Sequence, residues 1–264
     1  MIEKPLAGRS ILVTRSSRQA PSFVRLIEEE GGSAETIPLI KTVPLPSQWD
    51  NQVRRLQESL RYDWIVFTSV NTVAFFKKAL KESGSSFPSG AKIAAIGEKT
   101  MLALEEEGWE PEVVPKQYVA EDLASVLKTK VKAGDKVLFP KSELARDVIP
   151  AILRESGAAI DEMPLYTSTA FEENKEKLQR VIASQKIDIF TFTSPSIVRT
   201  FTTFVNEALP PSSWNEKPAV CIGPVTEKEA ADQGFKHRYM SSPYTMEGMM
   251  NVLMTHFGNG KKRK

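Results

Sequence analysis

The sequence predicts an α/β fold of two duplicated, flavodoxin-like parallel-sheet lobes. Three observations predict it: an internal repeat held at an offset of 125 to 126, short apolar runs alternating with helical patterns, and glycine or hydroxyl residues where one gives way to the other. The stretch GRSILVTRS at residues 8–16 returns as GDKVLFPKS at residues 134–142, an offset of 126. Gly31 then falls on Gly157, and PLI at 38–40 falls on PLY at 164–166. FTS at 67–69 returns at 192–194, and IGEKT at 96–100 returns as IGPVT at 222–226. Tyr118 and Glu121 fall on Tyr244 and Glu247. A register kept over this many segments is duplication.

In chain order, residues 11–13, 64–67 and 93–96 read as strands, with counterparts at 137–139, 189–192 and 219–222. Residues 20–30 carry apolar side chains at helical spacing and stop at Gly31 and Gly32; residues 70–83 do the same before Gly84. Strand–helix alternation of this kind argues for a parallel sheet covered on both faces, with room for about five units in each half. Residues 36–44 and 162–170 are extended, matched and marked by prolines. Tandem lobes fit this repeat, and so does a chain that crosses between lobes at both stretches.

Composition narrows the function classes. With 41% hydrophobic and 26% charged residues, the chain is long enough at 264 residues to bury sizeable cores. Its 35 basic and 33 acidic residues nearly balance, and part of the basic excess is the run at 261–264, which reads as a solvated end rather than a nucleic-acid arm. Cys221 is the only cysteine, so neither an intramolecular disulfide nor a cysteine-rich metal site is available. The only histidines, His237 and His256, lack acidic or histidine neighbours at ligand spacing, which disfavours a zinc site or a catalytic triad. No apolar run is long enough to span a bilayer and no signal core follows the first residues, so no membrane partner is expected and the expected compartment is the cytoplasm.

Ligands of open α/β sheets bind beyond the carboxyl ends of the strands. The repeated motifs lie there. Thr68 and Ser69, like Thr193 and Ser194, close a strand and open a helix, where helix capping alone would explain them. Gly97 and Gly223 turn the backbone after a strand, with Thr100 and Thr226 in the following first turn. Four such helix starts present backbone N–H groups and hydroxyls suited to anions, and Arg15 and Lys141 add a matched cation just past the first strand of each half. With no GxxxxGK[ST] and no GxGxxG, carboxylates fit better than a nucleotide pyrophosphate. Tyr166 breaks the symmetry, because its counterpart is Ile40. A duplicated scaffold needs its residues twice, whereas a single reaction needs its acid once, and a phenol can donate a proton to a leaving oxygen. A half-buried structural tyrosine is the equal alternative. Glu121 and Glu247 read as carboxylates in the first turn of the last helix of each half, and Phe75, Phe76, Phe201 and the methionines of 246–254 read as core.

These motifs, in this order, resemble the uroporphyrinogen-III synthase family: LVTR at 12–15, FTSVN at 67–71, AIG at 95–97 with Thr100, AEDL at 120–123, PLY at 164–166, FTSPS at 192–196 and IGPVT at 222–226. The resemblance spans nearly the whole chain. It implies two α/β lobes joined by a two-stranded linker, the first lobe built from both chain ends. The expected boundaries are 1–37 with 170–264, and 42–163, with 38–41 and 164–169 as linker strands. It also implies a reaction without metal or organic cofactor, in which hydroxymethylbilane loses water and closes with its last pyrrole ring inverted. Tyr166 matches the family tyrosine proposed to help the hydroxyl leave, and Thr226 matches a threonine of the same site. Arg15, Thr68, Ser69, Gly97, Thr100, Lys141, Thr193, Ser194, Gly223 and Thr226 are then the expected substrate contacts. A monomer that meets the preceding pathway enzyme only transiently is the expected assembly. The competing reading is a non-enzymatic bilobed anion-binding protein; a phosphoacceptor module is disfavoured, since paired acidic residues follow neither first strand.

Overall fold

The computed structural model describes residues 4–58, 61–115 and 120–258. Tyr118 and the basic run at 261–264 lie outside the described residues. The chain divides into two compact units, one made of Met1–Lys41 with Thr169–Lys264 and the other of Thr42–Ser168. Residues 38–41 therefore fall with the first unit and 164–168 with the second.

The chain starts with β1 (Ser10–Val13), α1 (Ala20–Glu29) and β2 (Ser33–Thr36). It enters the second unit within β3 (Ile40–Pro44), followed by α2 (Trp49–Gln57), β4 (Trp64–Phe67), α3 (Val70–Ser83), β5 (Lys92–Ala95) and α4 (Glu98–Glu105). There follow α5 (Ala120–Lys130), β6 (Lys136–Ser142), α6 (Val148–Glu155) and the long β7 (Ala159–Ala170). Past β7 the first unit is completed by α7 (Lys175–Ala183), β8 (Ile189–Phe192), α8 (Pro195–Asn206), β9 (Ala219–Cys221), α9 (Pro224–Asp232), β10 (Arg238–Met240) and α10 (Met246–Phe257). Among the described residues no helix is long and apolar enough to cross a membrane.

The first unit holds a parallel sheet in the order β10-β9-β8-β1-β2. Period-two alternation sends its side chains to two cores. Leu12 and Phe190 join one that also holds Phe192, Phe201, Trp214 and Phe235, while Ile11, Val13 and Ile189 join another with Phe23, Met249 and Leu253. Side chains buried on both faces require helices on both faces, the α/β arrangement expected from the sequence. Two buried hydroxyls tie the sheet centre: Thr14 Oγ1 donates to the Thr191 carbonyl and Thr191 Oγ1 to the Leu12 carbonyl, both at 2.7 Å.

The second unit holds the order β3-β7-β6-β4-β5, with β5, β4, β6 and β7 parallel. Here Ile65, Phe67 and Leu138 face one core and Trp64, Val66 and Val137 the other. α3 ends where Gly84 takes φ 70° and its amide bonds back to the Lys81 carbonyl, a left-handed stop that a side chain would strain.

Some boundaries move. β5 and β9 end one residue before Ile96 and Ile222; Gly97 turns the chain at φ 84°, whereas Gly223 stays extended at φ −175° and ψ 179°, which corrects the turn expected there. β6 runs on to Ser142, paired along its length with β7. Lys141 is consequently inside a strand rather than just past one, which corrects its expected place.

Candidate active site

β4 delivers the chain to Thr68 and Ser69 at its carboxyl end. Ser69 is extended (φ −163°, ψ 159°), and its Oγ accepts the Thr72 amide at 3.2 Å, satisfying one of the free N–H groups that open α3. The same oxygen lies 3.0 Å from the Tyr166 hydroxyl, delivered by β7, and 2.9 Å from Thr72 Oγ1. Thr72 Oγ1 and the Tyr166 hydroxyl are 3.1 Å apart, which closes a triangle of three hydroxyls. The Tyr166 ring stacks on Phe75 (centroids 4.9 Å apart, planes 14° from parallel), so the phenol cannot swing freely, and 7% of the residue stays exposed. A phenol stacked on Phe75 and held on two sides by hydroxyls has its oxygen fixed in place. That is the geometry of a positioned acid.

Thr68 occupies a different place, in the wall of a cavity of about 300 Å³ beyond the carboxyl ends of β4 and β5. Ile96, Ala120, Phe139 and Ile149 give it an apolar lining, and Arg146, 3.3 Å from Glu121, gives it a cation. Gly97 at φ 84° opens α4, and the buried Thr100 closes its first turn by donating its backbone N–H to the Gly97 carbonyl at 3.1 Å. Lys141 is directed elsewhere. Its side chain is 12% exposed and donates to Glu162 at 2.6 Å, and Arg154 binds the other Glu162 oxygen. Burial by itself would raise the Glu162 carboxyl, but the hydrogen bonds from Lys141 and Arg154 outweigh it and hold that group below the ordinary carboxylate range. A nearly buried ammonium requires such a counter-charge. Lys141 is thus paired with Glu162 of β7.

In the first unit, Arg15 follows β1 and donates to Gln19 at 3.0 Å. Partial burial draws its guanidinium below the ordinary arginine value, and among the described residues no carboxylate pairs with it. Thr193 and Ser194 follow β8; Ser194 caps α8 by accepting the Ile197 amide at 3.3 Å. Gly223 opens α9, with the buried Thr226 in its first turn and the ring of Tyr244 beside it. Glu121 and Glu247 sit in the first turns of α5 and α10. Cys221 is buried at the end of β9, and burial pushes its thiol up to about 12, so it is no nucleophile.

The structure thus joins Ser69 to Tyr166, sets Thr68 apart in the Arg146 cavity, and leaves Arg15, Thr193, Ser194, Gly223 and Thr226 at strand ends of the first unit. Thr72 and Arg146 are the residues that sequence reasoning missed. A hydroxyl three positions after a capping serine, Ser69 to Thr72, signals the first. Nothing in the spacing around Arg146 signals the second.

The family model described as uroporphyrinogen-III synthase HemD matches residues 21–251. A porphyrin biosynthesis protein HemD from Ruminiclostridium josui is 29% identical over 96% of the chain; the chain spans 49% of that relative's length. A uroporphyrinogen-III synthase from Synechococcus elongatus is 26% identical, with 95% of this chain and 96% of that protein covered. The crystal structure of a uroporphyrinogen-III synthetase from Helicobacter pylori superposes with a TM-score of 0.59 over 94% of this chain and 99% of that one, and at 17% identity it speaks for the fold alone. With the family model matching most of its length, the chain belongs to the uroporphyrinogen-III synthase family.

Proposed function

We propose that this protein is a cyclising lyase of porphyrin and heme biosynthesis that converts hydroxymethylbilane to uroporphyrinogen III, inverting the last pyrrole ring with loss of water. The match of the family model to residues 21–251 carries this reading, and it displaces the alternative of a non-enzymatic anion-binding protein. Tyr166 gives its proton to the departing hydroxyl; its fixed hydroxyl and its single occurrence in the repeat support that role. Arg15, the helix starts at Ser194, Gly97 with Thr100, and Gly223 with Thr226, and the Thr68–Arg146 cavity hold the acetate and propionate groups. The two units are products of one duplication, linked through the two strands β3 and β7, within which the chain passes between them. The protein works as a monomer in the cytoplasm. Its substrate closes on its own to the uninverted isomer, so rapid transfer from the enzyme that makes it favours a transient contact.

Incubation with hydroxymethylbilane and chromatographic separation of the oxidised products tests the activity. Isomer III is expected. Isomer I alone, at the rate of the protein-free control, overturns the reading.

A further inference from the structure

We infer that Thr72 and Ser69 act through Tyr166, as the two hydroxyls that take hold of its phenolic oxygen when that oxygen gives up its proton. This rests on the assignment of Tyr166 as proton donor and deepens it. In the departure step the phenolic O–H bond breaks and its proton goes to the substrate hydroxyl oxygen. The carbon–oxygen bond breaks with its electron pair on that oxygen, water leaves, and the adjoining pyrrole becomes the azafulvene cation. Tyr166 is left as phenolate, and it recovers a proton from the tetrapyrrole when the closed ring rearomatises.

Before the step the three hydroxyls make neutral hydrogen bonds, at 2.9, 3.0 and 3.1 Å. After it the Tyr166 oxygen has lone pairs to offer and no proton, and Ser69 Oγ and Thr72 Oγ1 each have one hydrogen to donate. Bonds to an ionised acceptor are roughly twice as strong as neutral ones. The gain arises only as charge develops, which is the condition for lowering a barrier rather than tightening binding. Thr72 is fully buried, so water does not compete for its hydroxyl.

The second half of the repeat supplies an independent observation. Ser69 recurs as Ser194, with the same capping bond, so the cap explains the serine in both places. At Thr72 the register of 125 that aligns Ser69 with Ser194 puts Ile197, and at Tyr166 the register of 126 puts Ile40. Ile197 belongs to the apolar core of the first unit, and Ile40 packs against that core. Capping needs neither the phenol nor the threonine hydroxyl, and the two are replaced together by isoleucine where the phenol is absent. Thr72 is a positioning residue for Tyr166.

The test is a cycle of Thr72→Val and Tyr166→Phe, with thermal midpoints measured for each variant. Valine keeps the shape of threonine and leaves the Ser69 cap intact. Thr72→Val is expected to lower kcat about tenfold with KM within about twofold, Thr72→Ser to restore most of the loss, and Thr72→Val to cost nothing further in the Tyr166→Phe background. If Thr72→Val does not fold, Thr72→Ala takes its place in the cycle. An equal fold-loss from the Thr72 change in both backgrounds, or none in either, overturns the inference while Tyr166 stands. Normal kcat in Tyr166→Phe removes the acid itself, and this inference with it.

Discussion

At the start of α3, Ser69 sits at φ −163°, ψ 159° and accepts the Thr72 amide at 3.2 Å; at the start of α8, Ser194 sits at φ −161°, ψ 156° and accepts the Ile197 amide at 3.3 Å. The backbones are nearly superimposable in angle, and the capping bond is the same. What surrounds them differs. Ser69 meets Thr72 Oγ1 and the Tyr166 hydroxyl, whereas Ser194 meets Ser196 Oγ at 2.9 Å and Ile197 turns into the core. A strand–helix turn therefore needs the cap, and it does not need the hydroxyl triangle. Comparing the two starts subtracts the demands of the fold and leaves the part available for chemistry.

The largest effect expected is that of Tyr166→Phe, which should cut kcat about 10²–10⁴-fold with little change in KM, as for an acid lost from the transition state. Steady-state kinetics on a variant with an unchanged thermal midpoint checks it. Arg15→Gln should raise KM about tenfold or more at nearly constant kcat, because a partly buried cation with no carboxylate partner among the described residues is lost from binding. Lys141→Met should do the reverse of Arg15→Gln: leave KM alone and lower stability by about 1–3 kcal/mol in denaturant titration, since Glu162 keeps only Arg154. The comparison of the two matched cations breaks if the roles come out exchanged.

Acid titration sharpens the same contrast. The Glu162 pKa is lowered in the fold, so its contribution to stability is present above the unfolded carboxylate value and lost as pH falls through the lower folded one. Glu162→Gln should flatten the acid side of a thermal-midpoint profile. An unchanged slope would remove Lys141–Glu162 from the acid-labile contacts. The smallest effects belong to the caps: Ser69→Ala and Ser194→Ala should each cost about 0.5–2 kcal/mol, but only Ser69→Ala should also lower kcat. Equal kcat for the two variants would erase the distinction between the helix starts.

The repeat made the fold readable because recurrence at a near-constant spacing converts weak single motifs into a register, and because runs such as WIVF at 64–67 and IFTF at 189–192 are buried on both faces. Tyr166 was legible as an asymmetry. The bond between Tyr166 and Thr72 was not, since the two meet across 94 positions of chain. Lys141 was misplaced because the spacing of a repeat gives position but not the counter-charge, and Glu162 lies 21 residues away on a neighbouring strand. Arg146 falls after β6, where only the folded chain brings it to the wall that Thr68 and Ile96 share.

The passage of the chain through β3 and β7 sets an order for its making on the ribosome. Thr42–Ser168 is complete while the last 96 residues are still unmade, so the second unit can fold at once. Residues 1–41 must wait for roughly 150 more residues, about 8–30 s at ordinary elongation rates, before β8 appears beside β1. During that interval Ile11, Leu12 and Val13, all buried in the finished protein, have no sheet to enter except β2. The nascent chain then carries an open strand edge of the kind that sticks to other chains, and the window for aggregation or chaperone capture lasts until β8 pairs with β1.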